Sequence, residues 1–270
     1  MPQRLDRLAA LLDGLAPEVT LAEIGPGPVD HGNDPSRPPG LLLVLLCAGS
    51  LTLRRADAAA QVRAPALLVL RSDLPCVLAE ITERDHERVI SLRARLTGPG
   101  SPLFLDEFSE PRIVSLDDDE PALRLAVDML KAELDAPRCG HAALLSRAGD
   151  ILFIGLLRHL VANPGPHGSG LFSGLADPRI ARALVAMHQR PDLNWSLERL
   201  SQEAGMSRTA FTSTFREVMK RTPGKYLTAI RLSIARRSVE LGKGLKEAAR
   251  AAGYRNPSAL SRALARARQH

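Results

Sequence analysis

An internal near-repeat in the last third of the chain restricts its fold more than any other feature. Residues 197–216 (LERLSQEAGMSRTAFTSTFR) and 245–265 (LKEAARAAGYRNPSALSRALA) align with Leu197, Ala204 and Gly205 over Leu245, Ala252 and Gly253. After a one-residue insertion, Phe211 and Phe215 fall over Leu260 and Leu264. Each copy reads as helix, glycine turn, helix. Ser196 and Ser207 are placed to cap the two helices of the first copy, and Glu198 puts a negative charge in the first turn. Gly205 supplies the left-handed residue that lets the chain leave the first helix. In the second copy Gly253 makes the same turn, and Asn256-Pro257 provides a cap followed by proline at the first helical position. Between the copies Thr222-Pro223 opens a longer helix that ends near Gly242. Residues 178–188 form an earlier helix that buries Ile180, Leu184 and Met187.

Charge is segregated onto the same segment. Residues 178–270 hold 19 Lys/Arg against 6 Asp/Glu, whereas residues 1–177 hold 17 against 24. A strongly basic third joined to an acidic remainder points to a polyanionic partner for that third alone. Two bihelical units with this charge are the ingredients of tandem helix-turn-helix DNA binding. The second helix of each unit fits the major groove of a duplex, and surrounding cations neutralise phosphates. Readers held about 34 Å apart can enter successive major grooves on one face. The plainer reading is a helical bundle with a solvated basic surface.

The first half of the chain has a different texture. Residues 1–15 have the spacing of an amphipathic helix, with Leu5, Leu8, Leu11, Leu12 and Leu15 on one face. Short apolar runs punctuated by Pro and Gly follow at 41–46, 50–53, 66–70, 89–92 and 113–116, which suits an all-β barrel or sandwich. The continuous run LLLVLL at 41–46 suits a buried helix equally well. From 121 the period becomes helical, over 121–134 and again over 141–161. The second of these is apolar on much of its circumference, so it either packs two faces in the core or meets another subunit. Asp117 to Glu120 read as a solvated loop and helix start. Residues 163–174 (NPGPHGSGLFSG, from Asn163) read as a linker, at the point where the charge changes sign.

The segment 177–266 resembles the DNA-binding domain of the AraC/XylS family. The matching features are Trp-Ser-Leu-Glu-x-Leu from Trp195, the Ala-Gly-Met-Ser turn, Phe-x-x-x-Phe-Arg from Phe211, Thr-Pro-x-x-Tyr-Leu from Thr222, and Ala-x-x-x-Gly-Tyr ending at Tyr254. The run leading in, Gly170 to Ile180, is similar to members with a cupin-type barrel. The resemblance implies an α+β protein: a cupin-like β-barrel with flanking helices over 1–163, serving sensing or dimerisation, a linker over 164–174, and an all-α domain with two helix-turn-helix motifs over 175–270. It also implies base contacts from Thr209, Thr212 and Ser213 in the first reading helix, and from Ser258, Ser261 and Arg262 at the matching positions of the second. Of these only Arg262 can grip guanine bidentately. Arg208, Arg216, Lys220, Lys225, Arg231, Arg236 and Arg255 are candidates for phosphate contacts or solvated surface. The chain departs from the family pattern at Leu260 and Leu264, where aromatics are usual, at Pro257, and in reaching His270 without the family's Gly-x-x-Pro-x-x-Tyr-Arg segment. These departures imply a less well buttressed second reader.

Other classes find little support. The longest apolar run, residues 41–48, is far short of the roughly 20 residues that span a bilayer. The acids of the N-terminal stretch do not suit a secretory signal. Three scattered cysteines make no disulfide framework, so a cytoplasmic setting is expected. There is no His-x-His pair of a cupin metal site, His31, His86, His141 and His159 are scattered, and no P-loop, dinucleotide or nucleophile-elbow motif occurs. No cofactor, metal or enzyme activity is therefore expected. Cys47 reads as a core residue. Cys139, beside Arg138 just before a helix start, has a setting that raises thiol reactivity, and with Cys76 is a candidate redox sensor. The expected function is a sequence-specific transcription regulator that responds to a small-molecule or oxidant effector. Its expected partners are a double-stranded DNA operator, RNA polymerase and a second copy of itself, with no membrane. The alternative is a cupin-like binding or enzymatic barrel whose basic tail localises it on nucleic acid.

Overall fold

The computed structural model describes residues 6–22, 29–30, 39–55, 58–74, 77–79, 89–116, 120–164 and 169–267. It divides into two compact units, one of residues 17–97 and 105–159, the other of residues 1–16, 98–104 and 160–270.

The first unit is built on two antiparallel sheets. One has the order β1 (Pro17–Leu21), β8 (Val89–Leu96), β3 (Gly40–Leu46), β6 (Ala66–Arg71), β9 (Arg112–Ser115). The other runs β2 (Val29–Asp30), β7 (Val77–Ala79), β4 (Ser50–Arg55), β5 (Ala58–Arg63). The LLLVLL run is therefore a strand, central in its sheet and buried at every position. It lacks alternation because both faces are covered. Leu42, Val44 and Leu46 join Leu51, Leu53 and Val62 of the second sheet in one apolar cluster. The opposite face, which carries Val19 and Leu92, packs on α4 (His141–Ala162). There a Cβ on Gly149 would stand 2.7 Å from Val19 Cγ1, and Ser146 Oγ donates to Val19 O at 3.1 Å. A Cβ on Gly155 would stand 2.9 Å from the Leu123 nitrogen of α3 (Pro121–Asp135), so the two helices touch backbone to backbone. This side of α4 is core. Glu120 caps α3 by accepting from Ala122 N–H, while Asp117 to Asp119 lie outside the described residues.

The second unit gathers pieces distant in sequence. The N-terminal helix, α1 (Ala9–Leu15), follows Asp6, whose Oδ1 accepts from Leu8 and Ala9 N–H, while Leu5 lies outside the described residues. Gly98 and Gly100, just after β8, donate their N–H groups to Leu15 O and Gly14 O at 2.8 and 2.7 Å. Pro99 O accepts from Ser233, and Arg7 donates to Leu175 O at 3.0 Å. The short helix α2 (Ser101–Leu105) follows, and its buried Phe104 meets Phe172 edge to face at 5.9 Å. The stretch expected as linker runs directly into a helix, α5 (Leu171–Ala176), in which Leu171 through Leu175 are all buried. Its single apolar pair, Leu171-Phe172, is enough to pull the chain inward, so composition alone understates its order. Helix α6 (Pro178–Gln189) begins at Asp177, whose carboxylate accepts from Arg179 and Ile180 N–H.

Candidate nucleic-acid interface

The first helical pair is α7 (Leu197–Ala204) and α8 (Arg208–Met219). Ser196 Oγ accepts from Arg199 N–H and Ser207 Oγ from Ala210 N–H, so both helices carry the side-chain caps read from the sequence. Gly205 ends α7 at φ 65°, where a side chain would strain the backbone. Inside the pair Leu200, Ala204, Phe211, Phe215 and Met219 are buried. Phe215 packs against Phe211 at 5.5 Å with the rings tilted by 58°, and meets Tyr226 of α9 (Pro223–Glu240) edge to face at 6.0 Å. Tyr226 OH in turn lies 2.9 Å from His188 Nε2. Burial pushes His188 down to about 4, so its ring is neutral and pairs with the phenol as a neutral donor–acceptor couple.

The second pair is α10 (Leu245–Ala251) and α11 (Pro257–Ala267), turned by Gly253 at φ 70°. Asn256 Oδ1 accepts from Ala259 N–H at 2.8 Å and caps α11 as expected, but α10 starts at Gly244 with no side-chain cap. Its core is Leu232, Ala235, Ala248, Ala249, Ala252 and Leu260, with Leu264 and Tyr254 partly buried against it.

Both second helices present one face to solvent. On α8, Arg208, Thr209, Thr212, Ser213, Arg216 and Lys220 line a single open groove together with Leu197 and Glu217. Six residues picked from the sequence thus share one surface. Glu217 was missed there, although it stands four residues past Ser213 on the same helical stripe. The two hydroxyls are turned inward: Thr212 Oγ1 donates to Arg208 O at 2.7 Å, and Ser213 Oγ donates to Thr209 O and Ala210 O at 3.1 and 3.0 Å. What they offer outward is oxygen lone pairs and, from threonine, a methyl group. On α11, Ser258, Ser261 and Arg262 are all exposed. Arg236 and Lys225 on α9 and Arg255 before α11 are exposed too.

Arg231 is placed differently. It is partly buried, and its guanidinium donates from Nε to Pro191 O at 2.8 Å and from Nη2 to Leu193 O at 2.7 Å. Burial draws its pKa down, opposed by Tyr254 and Asp192. A side chain spent on two carbonyls is not a surface cation for phosphate; it fastens the loop before α7 onto α9. The same loop holds Trp195, over whose ring the guanidiniums of Arg190 and Arg199 lie at 5.4 and 5.5 Å and whose Nε1 donates to Arg190 O.

The cysteines divide. Cys47 is half-buried at the end of β3, where burial pushes its thiol up against the opposing pull of Lys131. Cys139 is exposed in the turn between α3 and α4. That turn is anchored by buried Glu133, whose carboxylate accepts from Arg138 N–H and pairs with His141. The Arg138 amide, more than His141, holds this carboxyl below the usual range. Cys76, His31 and His86 lie outside the described residues. Among the described residues no cluster of His, Cys, Asp or Glu could hold a metal ion, and no helix is long and apolar enough to cross a membrane.

Against known families, residues 6–162 match a cupin model and residues 200–269 a helix-turn-helix domain model. The chain is 31% identical over 169 residues to a putative AraC-like transcription regulator of Streptomyces lividans, covering 61% of this chain and 55% of that protein. It is 26% identical over 178 residues to an uncharacterized HTH-type transcriptional regulator of Haemophilus influenzae, covering 61% and 57%. The chain thus spans about half the length of the curated relatives it matches. Among solved structures, ToxT of Vibrio cholerae O395 aligns with 93% of this chain and 92% of its own at 10% identity and a TM-score of 0.37.

Proposed function

The chain belongs to the AraC/XylS family with a cupin N-terminal domain, and on that premise we propose that it is a sequence-specific, double-stranded-DNA-binding transcription regulator. The observation that carries the reading is the groove on α8, where the residues expected to touch bases and phosphates share one exposed face within the basic third of the chain. The exposed face of α11 supplies the second contact, and Arg262 is its guanine-reading residue, gripping O6 and N7 through paired N–H donors. The threonine methyls and outward lone pairs of α8 suit the thymine methyl and the exocyclic amino groups of adenine and cytosine. Arg208, Arg216, Lys220, Lys225, Arg236 and Arg255 anchor the duplex backbone and carry the salt dependence.

Residues 1–163 act as a cytoplasmic sensory and dimerising part, joined through 164–174 to the DNA-binding part over 175–270, and the protein is not an enzyme. Its effector is a small molecule or an oxidant, and exposed Cys139 supports the latter. Regulation then requires that the effector bind two states of the protein with different affinity, altering how paired DNA-binding parts engage an operator and RNA polymerase. The test is selection of duplexes from a randomised library by the full chain, followed by footprinting. A defined protected site of two helical turns supports the reading. Uniform, salt-sensitive coating refutes it in favour of a barrel with a nucleic-acid-localising tail.

A further inference from the structure

Arg231 and the loop over residues 190–195 have no part in the contacts just proposed, yet they lie where the two helix-turn-helix copies meet. The loop leads into α7 and so belongs to the first copy. Arg231, on the helix between the copies, holds two of its carbonyls, Pro191 O and Leu193 O. Trp195 N–H closes the loop on Leu193 O at 2.8 Å, and Arg199 Nη1 donates to Asn194 O, which stiffens it from the α7 side. The loop also touches the second copy. The turn glycine there, Gly253, lies so close to Asp192 that an added Cβ would stand 2.6 Å from Asp192 Cα and 3.0 Å from Asp192 O. Next to it, burial pushes the Tyr254 phenol up, against the opposing pull of nearby Arg231. One short segment of the first copy is thus pinned to the connecting helix by a two-pronged guanidinium and wedged against the turn of the second.

We propose that this loop is a strut that fixes the spacing and phase of the two reading helices, with Arg231 as its positioning residue. The inference rests on the DNA-binding reading above and deepens it. Two readers on one rigid body bind as a bivalent ligand only when the duplex presents its half-sites at the matching separation. A change of one base pair moves the second half-site by about 3.4 Å and turns it around the helix axis. A strutted protein cannot follow that movement, whereas a loosened one can.

The experiment uses the full chain and the duplex selected as described above, with one base pair inserted or deleted between the half-sites, and reads Kd by fluorescence anisotropy. Wild type loses affinity on the order of ten-fold at either altered spacing, through loss of simultaneous engagement. Arg231→Ala binds the original duplex more weakly but flattens the spacing profile to within about three-fold. Arg231→Lys behaves like Arg231→Ala, because an ammonium keeps the charge but cannot span two carbonyls. Gly253→Ala displaces the strut from the other side and flattens the profile as well, and it serves where Arg231→Ala melts below the assay temperature. A uniform loss at all three spacings overturns the proposal, since it is what lost stability or a lost phosphate contact produces. Rescue by Arg231→Lys also overturns it. If wild type selects no duplex at all, the DNA-binding reading itself has failed, and the spacing question falls with it.

Discussion

The two helix-turn-helix copies share a glycine turn and a side-chain cap on the second helix, but not a core. In the first, buried Phe211 packs on Phe215, Phe215 on Tyr226, and the aromatic chain continues to His188. In the second, four alanines and two leucines form the buried cluster, with aromatic Tyr254 only at its edge. Aromatic side chains bury more area per residue and prefer fixed mutual geometries, so they hold a helix more tightly than alanine can. The first copy has the heavier core, and its proposed base-reading positions, Thr209, Thr212 and Ser213, are short. The second has a lighter core, begins at an uncapped glycine, and carries exposed Arg262, the one long side chain among the proposed reading positions. A lighter core need not mean loose placement, because the turn of the second copy is pressed on the loop over 190–195.

That contrast can be broken most directly in the cores. Phe215→Ala should cost about 4 kcal/mol of unfolding free energy, and Leu260→Ala about 2–3, the smaller residue leaving the smaller cavity. Equal losses in thermal or urea unfolding would erase the distinction. Next in size is a pH effect entering through His188 of α6, the end of the aromatic chain that leads from the first copy. The folded-state value of His188, about 4, lies below the ordinary 6.5, so the unfolded chain takes up the proton first. Stability should therefore fall as pH drops from about 6.5 towards 4 and level off below, by at most about 3 kcal/mol. His188→Gln should remove that slope, and a slope that survives the substitution would assign it to other groups.

On the DNA side, Arg262→Ala should cost about 1–3 kcal/mol and relax a guanine preference, whereas Ser213→Ala should cost under about 1 kcal/mol. Competition with duplexes substituted at single positions measures both, and unchanged discrimination by the Arg262 variant would remove it from the reading set. The smallest expected effects are at the caps. Ser207→Ala should lose about 1 kcal/mol, while Gly244→Asp should gain a few tenths by giving α10 the acceptor it lacks. No gain would mean that the start of α10 is already satisfied another way.

Much of the candidate interface was legible because its signals are local. Caps at Ser196, Ser207, Thr222 and Asn256 act over three residues, and the glycine turns act over one, so each could be read where it stands. That Arg208, Thr209, Thr212 and Ser213 face outward follows from helical period between buried Phe211 and Phe215 once α8 is placed, while the assignment of Thr209, Thr212 and Ser213 to bases came from the family resemblance. The runs at 41–46, 50–53, 66–70 and 89–92 fall within β3, β4, β6 and β8, and 113–116 lies within β9 in all but Leu116, but their pairing order across two sheets had no sequence signal. What stayed hidden depended on partners far along the chain. Arg231 looks like any other surface arginine until Pro191 O and Leu193 O, about forty residues earlier, are placed beside it. Leu171-Phe172 looks like an interruption in a linker until α5 is seen to be buried.

Composition, helical period and capping chemistry by themselves determined where the helices of the basic third begin and end and which face of α8 stays wet, because each is decided by neighbours within a turn or two. Tertiary structure alone decided that residues 1–16 and 98–104 join that helical unit, that the LLLVLL strand is covered on both sides, and that one arginine among many cations is a fastening. Those outcomes depend on burial and on hydrogen bonds closed over tens to more than a hundred residues, for which a linear pattern holds no distance information.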